Sequence, residues 1–287
     1  MKKNLPLISV IIPVYNRENF IKESVLSVLN QTYKNFELIV YDDGSTDNTE
    51  KVMNKIIKYY PVYNIRYIKS LKNLGPSFAR NRGVELSKGE FIAFLDSDDL
   101  WLKNKLKVQI EKMIENNWDI CQTDEVWIRN GKRVNPHKKH KKVSGYIFEK
   151  ALKLCIVSPS AVMMKKKLFL EFGGFDESLP ACEDYDLWLR ISSKIPVYLI
   201  EKKLVIKRGG HEDQLSKTIP YLDRFRIYSI VKILKTNNLS DEQKKLAISE
   251  LIYKSNIYSR GLKKRGLINE AEKIEQLCLS CTSKINY

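Results

Sequence analysis

Three carboxylates follow an apolar run in the stretch EFIAFLDSDDLW, residues 90–101. Asp96 and Asp98 are two positions apart, so at the end of a strand their side chains point to the same side. Two carboxylates held together repel each other unless a cation lies between them. Oxygen ligands of this kind suit Mg²⁺ or Mn²⁺ and leave coordination positions for phosphate oxygens. The alternative is structural, with Ser97 or Asp99 capping the helix that follows.

A second pair of carboxylates, Glu183 and Asp184, lies in the segment ACEDYDLWLRI. The apolar residues after the pair have helical spacing, which puts both acids at the start of a helix. A carboxylate in this position could be a general base that deprotonates a hydroxyl nucleophile. The helix dipole also favours carboxylates at a helix N-terminus, and this structural alternative stays open.

The third candidate segment is KRGGHEDQLS. Gly209 and Gly210 let the backbone come close to a ligand, and His211 follows them directly. A histidine here can be structural, a metal ligand or a donor to phosphate, and the sequence leaves these alternatives open.

The elements that must position these residues are predicted from the first hundred residues. Apolar runs alternate there with helical patterns, as in a parallel sheet built from crossover units. Four strands are predicted, and they end at Tyr15, at Asp43, before residues 73–75 and before residues 96–99. Their nearly continuous apolar character indicates that both faces of the sheet are covered. Because ligands bind beyond the carboxyl ends of such strands, we predict a site at this edge.

The pattern changes after a predicted helix from about residue 103 to residue 116. Asn130 and Gly131 predict the tight turn of a β-hairpin. The basic loop NPHKKHKK follows, and it is either a solvated surface or a contact for phosphate or a membrane. His137 and His140 lie in this loop without nearby carboxylates, and we interpret them as solvent-exposed residues.

Composition limits the class of protein. The chain has 50 Lys and Arg against 34 Asp and Glu, a net charge of +16 that attracts phosphates, anionic lipid headgroups or nucleic acid. Five scattered cysteines do not suggest a disulfide framework and favour a reducing compartment. No window approaches the roughly 18 consecutive apolar residues of a membrane span. We therefore expect a cytoplasmic protein, with peripheral contact at the inner face of the plasma membrane left open.

Several ordered motifs resemble those of family 2 glycosyltransferases of the GT-A fold. The resemblance covers roughly residues 5–215, and its motifs are SVIIPVYNRENFIKESVLSVLNQTY, ELIVYDDGSTDNT, NLGPSFARNRGV, GEFIAFLDSDDLW, GGFDE, CEDYDLWLR and GGHEDQLS. It implies an α/β fold with a Rossmann-like, mostly parallel central sheet and helices on both faces. It also implies inverting transfer of a sugar from a nucleotide-diphosphate sugar, with a UDP-sugar favoured, to a hydroxyl of a glycan or lipid-linked acceptor.

The resemblance implies a nucleotide-binding set. Pro13 and Tyr15 would border the nucleobase, and Asp43 would hydrogen-bond it. The full set is Pro13, Tyr15, Asp42, Asp43, Gly75, Arg80, Asn81, Asp96, Gln214 and Ser216. Asp42 would support the strand end, and the remaining members would lie near the ribose and the diphosphate.

The resemblance also implies a metal site and a base. DSD corresponds to the DxD motif of the family, with Asp98 as the principal ligand of Mn²⁺ or Mg²⁺ and Asp96 directed toward the ribose and the metal. His211 corresponds to a metal-binding histidine. Asp184 corresponds to the catalytic base, with Glu183 beside it near the acceptor.

The resemblance predicts a glycosyltransferase domain over residues 1–217 and a C-terminal helical extension over residues 218–287. Within the domain, residues 1–100 form the nucleotide-binding half and residues 101–217 the acceptor half. The QxxRW motif of processive members is absent after Asp184. We therefore expect single sugar additions. The run Gly209-Gly210-His211, followed by Gln214 and Ser216, resembles a variant of bacterial enzymes that decorate surface polysaccharide, which implies a role in the synthesis of cell-surface polysaccharide or glycolipid.

Two other classes of protein share some of these features. A nucleotidyltransferase on a similar fold would have a glycine-rich segment with a basic residue directly after the first strand, where this chain has PVYNREN. A basic nucleic-acid-binding protein would combine basic and aromatic residues in an organised motif, and none is found in the sequence. We therefore expect no nucleic acid partner, and the oligomeric state is left open.

Overall fold

The structure is a computed structural model that describes residues 5–210, 214, 218–236 and 238–282. Its strands are β1 (Ile8–Val14), β2 (Phe36–Asp42), β3 (Ile65–Lys69), β4 (Phe91–Phe94), β5 (Leu100–Trp101), β6 (Ile120–Arg129), β7 (Lys132–Val134), β8 (Val162–Lys165) and β9 (Tyr198–Gly209). Its α-helices are α1 (Ile21–Leu29), α2 (Thr49–Tyr59), α3 (Pro76–Glu85), α4 (Lys105–Asn116), α5 (Phe148–Lys153), α6 (Lys166–Glu171), α7 (Glu183–Ser192), α8 (Asp223–Lys235), α9 (Asp241–Lys263) and α10 (Ile268–Thr282).

The strands form a single curled sheet in the order β3, β2, β1, β4, β8, β6, β9 and β5, with β7 paired to β6. The first four strands along the chain are parallel, as are β6 and β9. Strand β8 runs antiparallel to both of its neighbours, β4 and β6. The carboxyl ends of β1, β2, β4, β6 and β9 therefore meet at one edge. This confirms the predicted mostly parallel α/β sheet.

Both faces of the sheet are covered by helices, as its apolar strands predict. All seven residues of β1 are buried, and alternate residues point to opposite faces. Val10 and Ile12 pack in a cluster with α1, α2 and α4, whereas Ile11 packs with α3, α6 and α7. The two apolar clusters hold the strand ends, and hence the candidate site, in fixed positions.

The C-terminal helices pack onto the rest of the protein. Ile227 of α8 and Leu251 of α9 share a buried cluster with Phe148 of α5 and with Tyr185 and Leu189 of α7. None of the described helices is long and apolar enough to cross a membrane. The helical character predicted after residue 218 agrees with these elements, while the domain boundary at residue 217 remains a prediction.

The alternative interpretation, in which Ser97 or Asp99 caps the following helix, is wrong. The helix α4 begins at Lys105, after Asn104, and no side chain caps it. The chain after Asp99 is extended, because Trp101 pairs with Val205 of β9. Sheet pairing therefore takes the place of the expected helix start.

The hairpin predicted at Asn130 and Gly131 is confirmed between β6 and β7. Both residues have positive φ, 49° and 74°, as a tight hairpin turn requires. The interpretation of His140 as a solvent residue is wrong, because its ring lies 5.3 Å from the ring of Trp127 and is only partly exposed. His137 is exposed, as expected.

Lys105 is fully buried between α4 and the sheet. Its Nζ donates to Gln109 Oε1 at 2.6 Å and lies 4.0 Å from the centre of the Trp101 ring. Burial lowers the pKa of Lys105 to about 7, against an ordinary value of 10.5. Between these values the unfolded chain binds the proton more tightly than the folded protein. The contribution of Lys105 to stability therefore rises with pH across this window.

We expect Lys105→Met to remove this rise. The melting temperature of the variant, relative to the unchanged protein, should fall by about 5 °C between pH 6 and pH 9. Scanning calorimetry at several pH values measures this difference. Lys107→Met, at an exposed position of the same helix, is the control and should show none. Parallel melting curves for Lys105→Met and the unchanged protein would contradict the prediction.

Candidate active site

A buried arginine joins the two acidic segments. Arg80 of α3 donates from Nη2 to Asp96 Oδ1 and from Nη1 to Glu183 Oε1, both at 2.7 Å. Its side chain is 7% exposed, and its guanidinium lies 5.3 Å from the centre of the Phe175 ring. Burial opposes the charge of Arg80, but Asp96 and Glu183 more than offset this and raise its pKa. The DSD segment and the start of α7 are therefore held together by one cation.

The start of α7 presents its two carboxylates in different surroundings. Glu183 is 5% exposed, and burial raises its pKa although Arg80 opposes the shift. Asp184 is half-buried, and its Oδ1 accepts from the backbone N–H of Tyr185 at 2.7 Å. The thiol of Cys155 donates to Asp184 Oδ2 at 3.3 Å. Asp184 is thus oriented by two donors and stays partly exposed, whereas Glu183 is buried and paired with Arg80.

Asp99 is the buried member of the DSDD group, at 1% exposed. Its Oδ2 accepts from Ser160 Oγ at 2.6 Å, and its Oδ1 accepts from the backbone N–H of Arg208 at 2.9 Å. Burial raises the pKa of Asp99 well above its usual range, and repulsion from Asp98 and Asp96 adds to the shift. Asp99 therefore ties the end of β4 to β9, while Asp96 and Asp98 are half-buried at the carboxyl edge of the sheet, the surface called the cleft below.

The segment 155–160, which was not identified from the sequence, contacts these acids and Lys207. Cys155 contacts the candidate base, and Ser158 Oγ accepts from Lys207 Nζ at 3.4 Å. Ser160 Oγ donates to Asp99 and accepts from the backbone N–H of Asp96 at 3.0 Å. The one available signal was the polar SPS triplet inside an apolar run.

Lys207 of β9 is a second cation shared by the acidic groups. Burial opposes its charge, but the carboxylates of Glu125, Asp99, Asp96 and Asp184 raise its pKa in that order. It therefore stays protonated close to Asp96 and Asp99 and to the candidate base, Asp184. Sequence reasoning missed Lys207 because nothing distinguishes it from the other basic residues of the chain.

Asp43 organises the loop before α3. It is 2% exposed, and it accepts from the backbone N–H groups of Leu74 at 3.0 Å and Gly75 at 2.7 Å. Burial raises the pKa of Asp43, while these two hydrogen bonds oppose the shift. Asp42 accepts from the backbone N–H of Ser45 at 2.7 Å, just beyond the end of β2. Contact of Asp43 with a nucleobase remains a prediction.

Other predicted nucleotide residues differ in position. Pro13 is buried in β1, and Tyr15 is 41% exposed just beyond it. The Asn81 amide donates to Phe175 O and to Glu177 Oε1, both at 2.8 Å, and accepts from Phe175 N at 3.0 Å. This amide is fully engaged by the turn after α6. A role at the diphosphate would require those hydrogen bonds to break.

The C-terminal candidates are described only in part. Gln214 Oε1 accepts from the backbone N–H of Gly210 at 3.1 Å, beyond the end of β9. His211 and Ser216 lie outside the described residues, so their predicted contacts with metal and diphosphate remain predictions.

The carboxylate oxygens of Asp96 and Asp98 are of the kind that coordinate a divalent cation. Within the part of the chain that the structure describes, no three His, Cys, Asp or Glu side chains are grouped to hold a metal. Asp96 and Asp98 nevertheless supply hard oxygen ligands at the cleft, close to Asp99, whose pKa is raised first by burial and then by repulsion from these two carboxylates. Such a set fits an ion whose remaining ligands are phosphate oxygens or residues outside the described ranges.

Comparison with known proteins identifies the family. The sequence profile described as "Glycosyl transferase family 2" matches residues 9–173. The Escherichia coli UDP-Glc:alpha-D-GlcNAc-diphosphoundecaprenol beta-1,3-glucosyltransferase WfgD is 38% identical over 188 residues, 64% of this chain and 69% of its own. An uncharacterized glycosyltransferase of Rickettsia conorii is 34% identical over 271 residues, 84% of this chain. The chain belongs to glycosyl transferase family 2.

The length and fold of the relatives add two facts. This chain spans 28% to 43% of the length of three rickettsial relatives. Staphylococcus aureus TarS 1-349 in complex with UDP-GlcNAc shares the fold with a TM-score of 0.75 at 22% identity, over 94% of this chain and 81% of its own. The mannosyltransferase PcManGT of Pyrobaculum calidifontis, in complex with GDP-Man and Mn²⁺, has a TM-score of 0.67 at 16% identity, over 99% and 77%. The predicted GT-A fold is confirmed.

Proposed function

We propose that this protein is a metal-dependent, inverting glycosyltransferase that moves a sugar from a nucleotide-diphosphate sugar, preferably a UDP-sugar, to an acceptor hydroxyl. The proposal rests on the bridge of Arg80 between Asp96 and Glu183. This bridge brings the donor-side carboxylates next to the helix start that presents Asp184. A donor and an acceptor bound on either side of Arg80 would therefore meet in one cleft.

In this proposal Asp184 accepts the proton of the acceptor hydroxyl as its oxygen attacks the sugar. The two donors, one to each oxygen of its carboxylate, fix the orientation of this partly exposed side chain. Direct displacement needs one base and no second carboxylate to form a covalent intermediate. Asp96 and Asp98 would hold the divalent ion, which when bound stabilises the negative charge that develops on the leaving diphosphate. Lys207 would keep Asp184 from repelling the other acids.

The acceptor class follows from a relative. The name of WfgD states that it acts on a sugar linked to diphosphoundecaprenol, which supports a lipid-linked acceptor and a place in cell-surface glycolipid or polysaccharide synthesis. An acceptor of this kind lies in the membrane. The proposal therefore includes a cytoplasmic position with peripheral contact at the inner face of the plasma membrane. It also keeps the division into a glycosyltransferase domain up to residue 217 and a helical extension.

The metal and nucleotide parts of the proposal predict a specific thermal response. Among UDP, GDP and CMP, we expect UDP to raise the melting temperature by about 3 °C or more, and only when Mn²⁺ is present. Asp98→Asn should lose this response, because it removes the principal carboxylate ligand. Differential scanning fluorimetry measures the shift, and a donor screen that reads nucleotide-sugar hydrolysis then identifies the sugar.

The control for this experiment is Asp119→Asn. Asp119 pairs with Lys165 before β6, at the opposite edge of the sheet, so the response to UDP and Mn²⁺ should be retained. If UDP stabilised the unchanged protein and Asp98→Asn equally, or without Mn²⁺, the metal assignment would be wrong.

A further inference from the structure

A hairpin and loop beside the active site form a concentrated basic surface. Residues 129–141, called the basic hairpin loop below, contain six Lys and Arg, and no Asp or Glu occurs anywhere between residues 126 and 148. All six are exposed, and they are Arg129, Lys132, Arg133, Lys138, Lys139 and Lys141. Within the described residues none of the six forms a salt bridge, whereas the next cation, Lys142, pairs with Glu125 at 3.1 Å.

The basic hairpin loop is an ordered part of the fold. The ring of His140 packs against Trp127, which lies on β6 at the base of the hairpin. Buried Lys142 closes the loop, since its Nζ donates to Thr123 O at 2.9 Å and pairs with buried Glu125. The six exposed charges are thus held on a fixed support at both ends.

This surface adjoins the carboxylates of the cleft. Strands β6 and β9 are paired as far as Arg129. On β9, Arg208 donates its backbone N–H to Asp99 at 2.9 Å. The neighbouring Lys207 interacts electrostatically with Asp96, Asp99 and Asp184. The pKa of His140 is lowered by burial and then by surrounding positive charges that include Lys207. The basic hairpin loop and the cleft are therefore neighbours across one strand.

We propose that the basic hairpin loop binds the phosphate groups of the acceptor, a sugar carried on an isoprenoid diphosphate. This inference rests on the proposed function, because it names the acceptor of the same transfer. Ammonium and guanidinium groups without interspersed carboxylates attract and hydrogen-bond phosphate oxygens. Asp96 and Asp98 serve the donor diphosphate in the proposed reaction, so a second diphosphate needs its own cations. The basic hairpin loop supplies them on the acceptor side of the cleft.

The test uses farnesyl diphosphate, which has the diphosphate and a short isoprenoid chain. Its dissociation constant is measured by isothermal titration calorimetry at low salt, with UDP and Mn²⁺ present in excess to occupy the donor site. The triple variant Lys138→Gln, Lys139→Gln and Lys141→Gln should bind about tenfold more weakly or worse. The control removes the same charge at the opposite edge of the sheet, with Lys55→Gln, Lys58→Gln and Lys88→Gln, all at exposed positions. Its binding should stay within about twofold of the unchanged protein.

Equal weakening in both triple variants, or unchanged binding in the loop variant, would overturn the proposal. Displacement of farnesyl diphosphate by UDP would also overturn it, because the ligand would then occupy the donor site. Sedimentation with vesicles of phosphatidylglycerol and phosphatidylcholine separates a bilayer contact from a diphosphate site. If the loop variant lost vesicle binding but still bound farnesyl diphosphate normally, the loop would be a membrane contact and the proposal would be wrong. These binding measurements do not depend on turnover. A negative donor screen would therefore contradict the proposed function, whereas the binding of farnesyl diphosphate by the loop is judged separately.

Discussion

Asp184→Asn should reduce turnover about a thousandfold while leaving donor binding within about threefold of the unchanged enzyme. Asparagine has nearly the same shape and keeps an oxygen that can accept from the Tyr185 N–H, but it cannot take a proton from the acceptor. The carboxylates proposed for the donor, Asp96 and Asp98, are not altered. Product formation at saturating donor and acceptor gives the turnover, and calorimetry with UDP and Mn²⁺ gives the binding.

The control lies on the same helix. Asp186 faces away from the cleft and pairs with Arg190 at 2.7 Å and Lys232 at 3.2 Å. Asp186→Asn should lower the stability of the protein but leave the turnover of the folded fraction close to normal. Near-normal turnover in Asp184→Asn would show that another group is the base.

Arg80→Met should lower both stability and activity. It leaves the carboxylates of Asp96 and Glu183 without the cation that they share, and Glu183 is buried at 5% exposed. Removing one partner of a buried ion pair costs about 3 to 5 kcal/mol. This corresponds to a fall of about 10 °C in melting temperature, measured by calorimetry. The folded fraction should also lose most of its turnover, because Asp96 and the start of α7 are no longer tied together.

Two further variants test whether the stability lost in Arg80→Met comes from the ion pairs of Arg80 or from the loss of any positive charge. Arg82 lies on the same helix, but its pairs with Glu85 and Glu177 are at the surface, so Arg82→Met should cost less than about 1 kcal/mol. Adding Glu183→Gln to Arg80→Met should restore part of the stability, because it removes one unpaired charge. Equal losses in the variants at positions 80 and 82 would mean that the bridge does not stabilise the fold.

Much of the fold can be predicted from local patterns in this chain. The segments before Asp96 and before Tyr15 are nearly continuous apolar runs, because both faces of their strands are covered, and they mark the carboxyl end of the sheet. Asn130 and Gly131 predict their hairpin because few residues accept positive φ. These features depend on neighbours in sequence, so no tertiary information is needed to recognise them.

The remaining features were decided by the tertiary structure. Arg80 donates to Glu183, 103 positions later in the chain. Lys207 differs from the other Lys and Arg residues of the chain because the fold places it near several carboxylates. A helix cap was one alternative for Asp99, but the residues after it pair with β9, and Asp99 itself is buried. Local sequence therefore determined which acids stand at the strand ends. Only packing determined which cations hold them, because the strength of an ion pair depends on burial and distance, and spacing along the chain specifies neither.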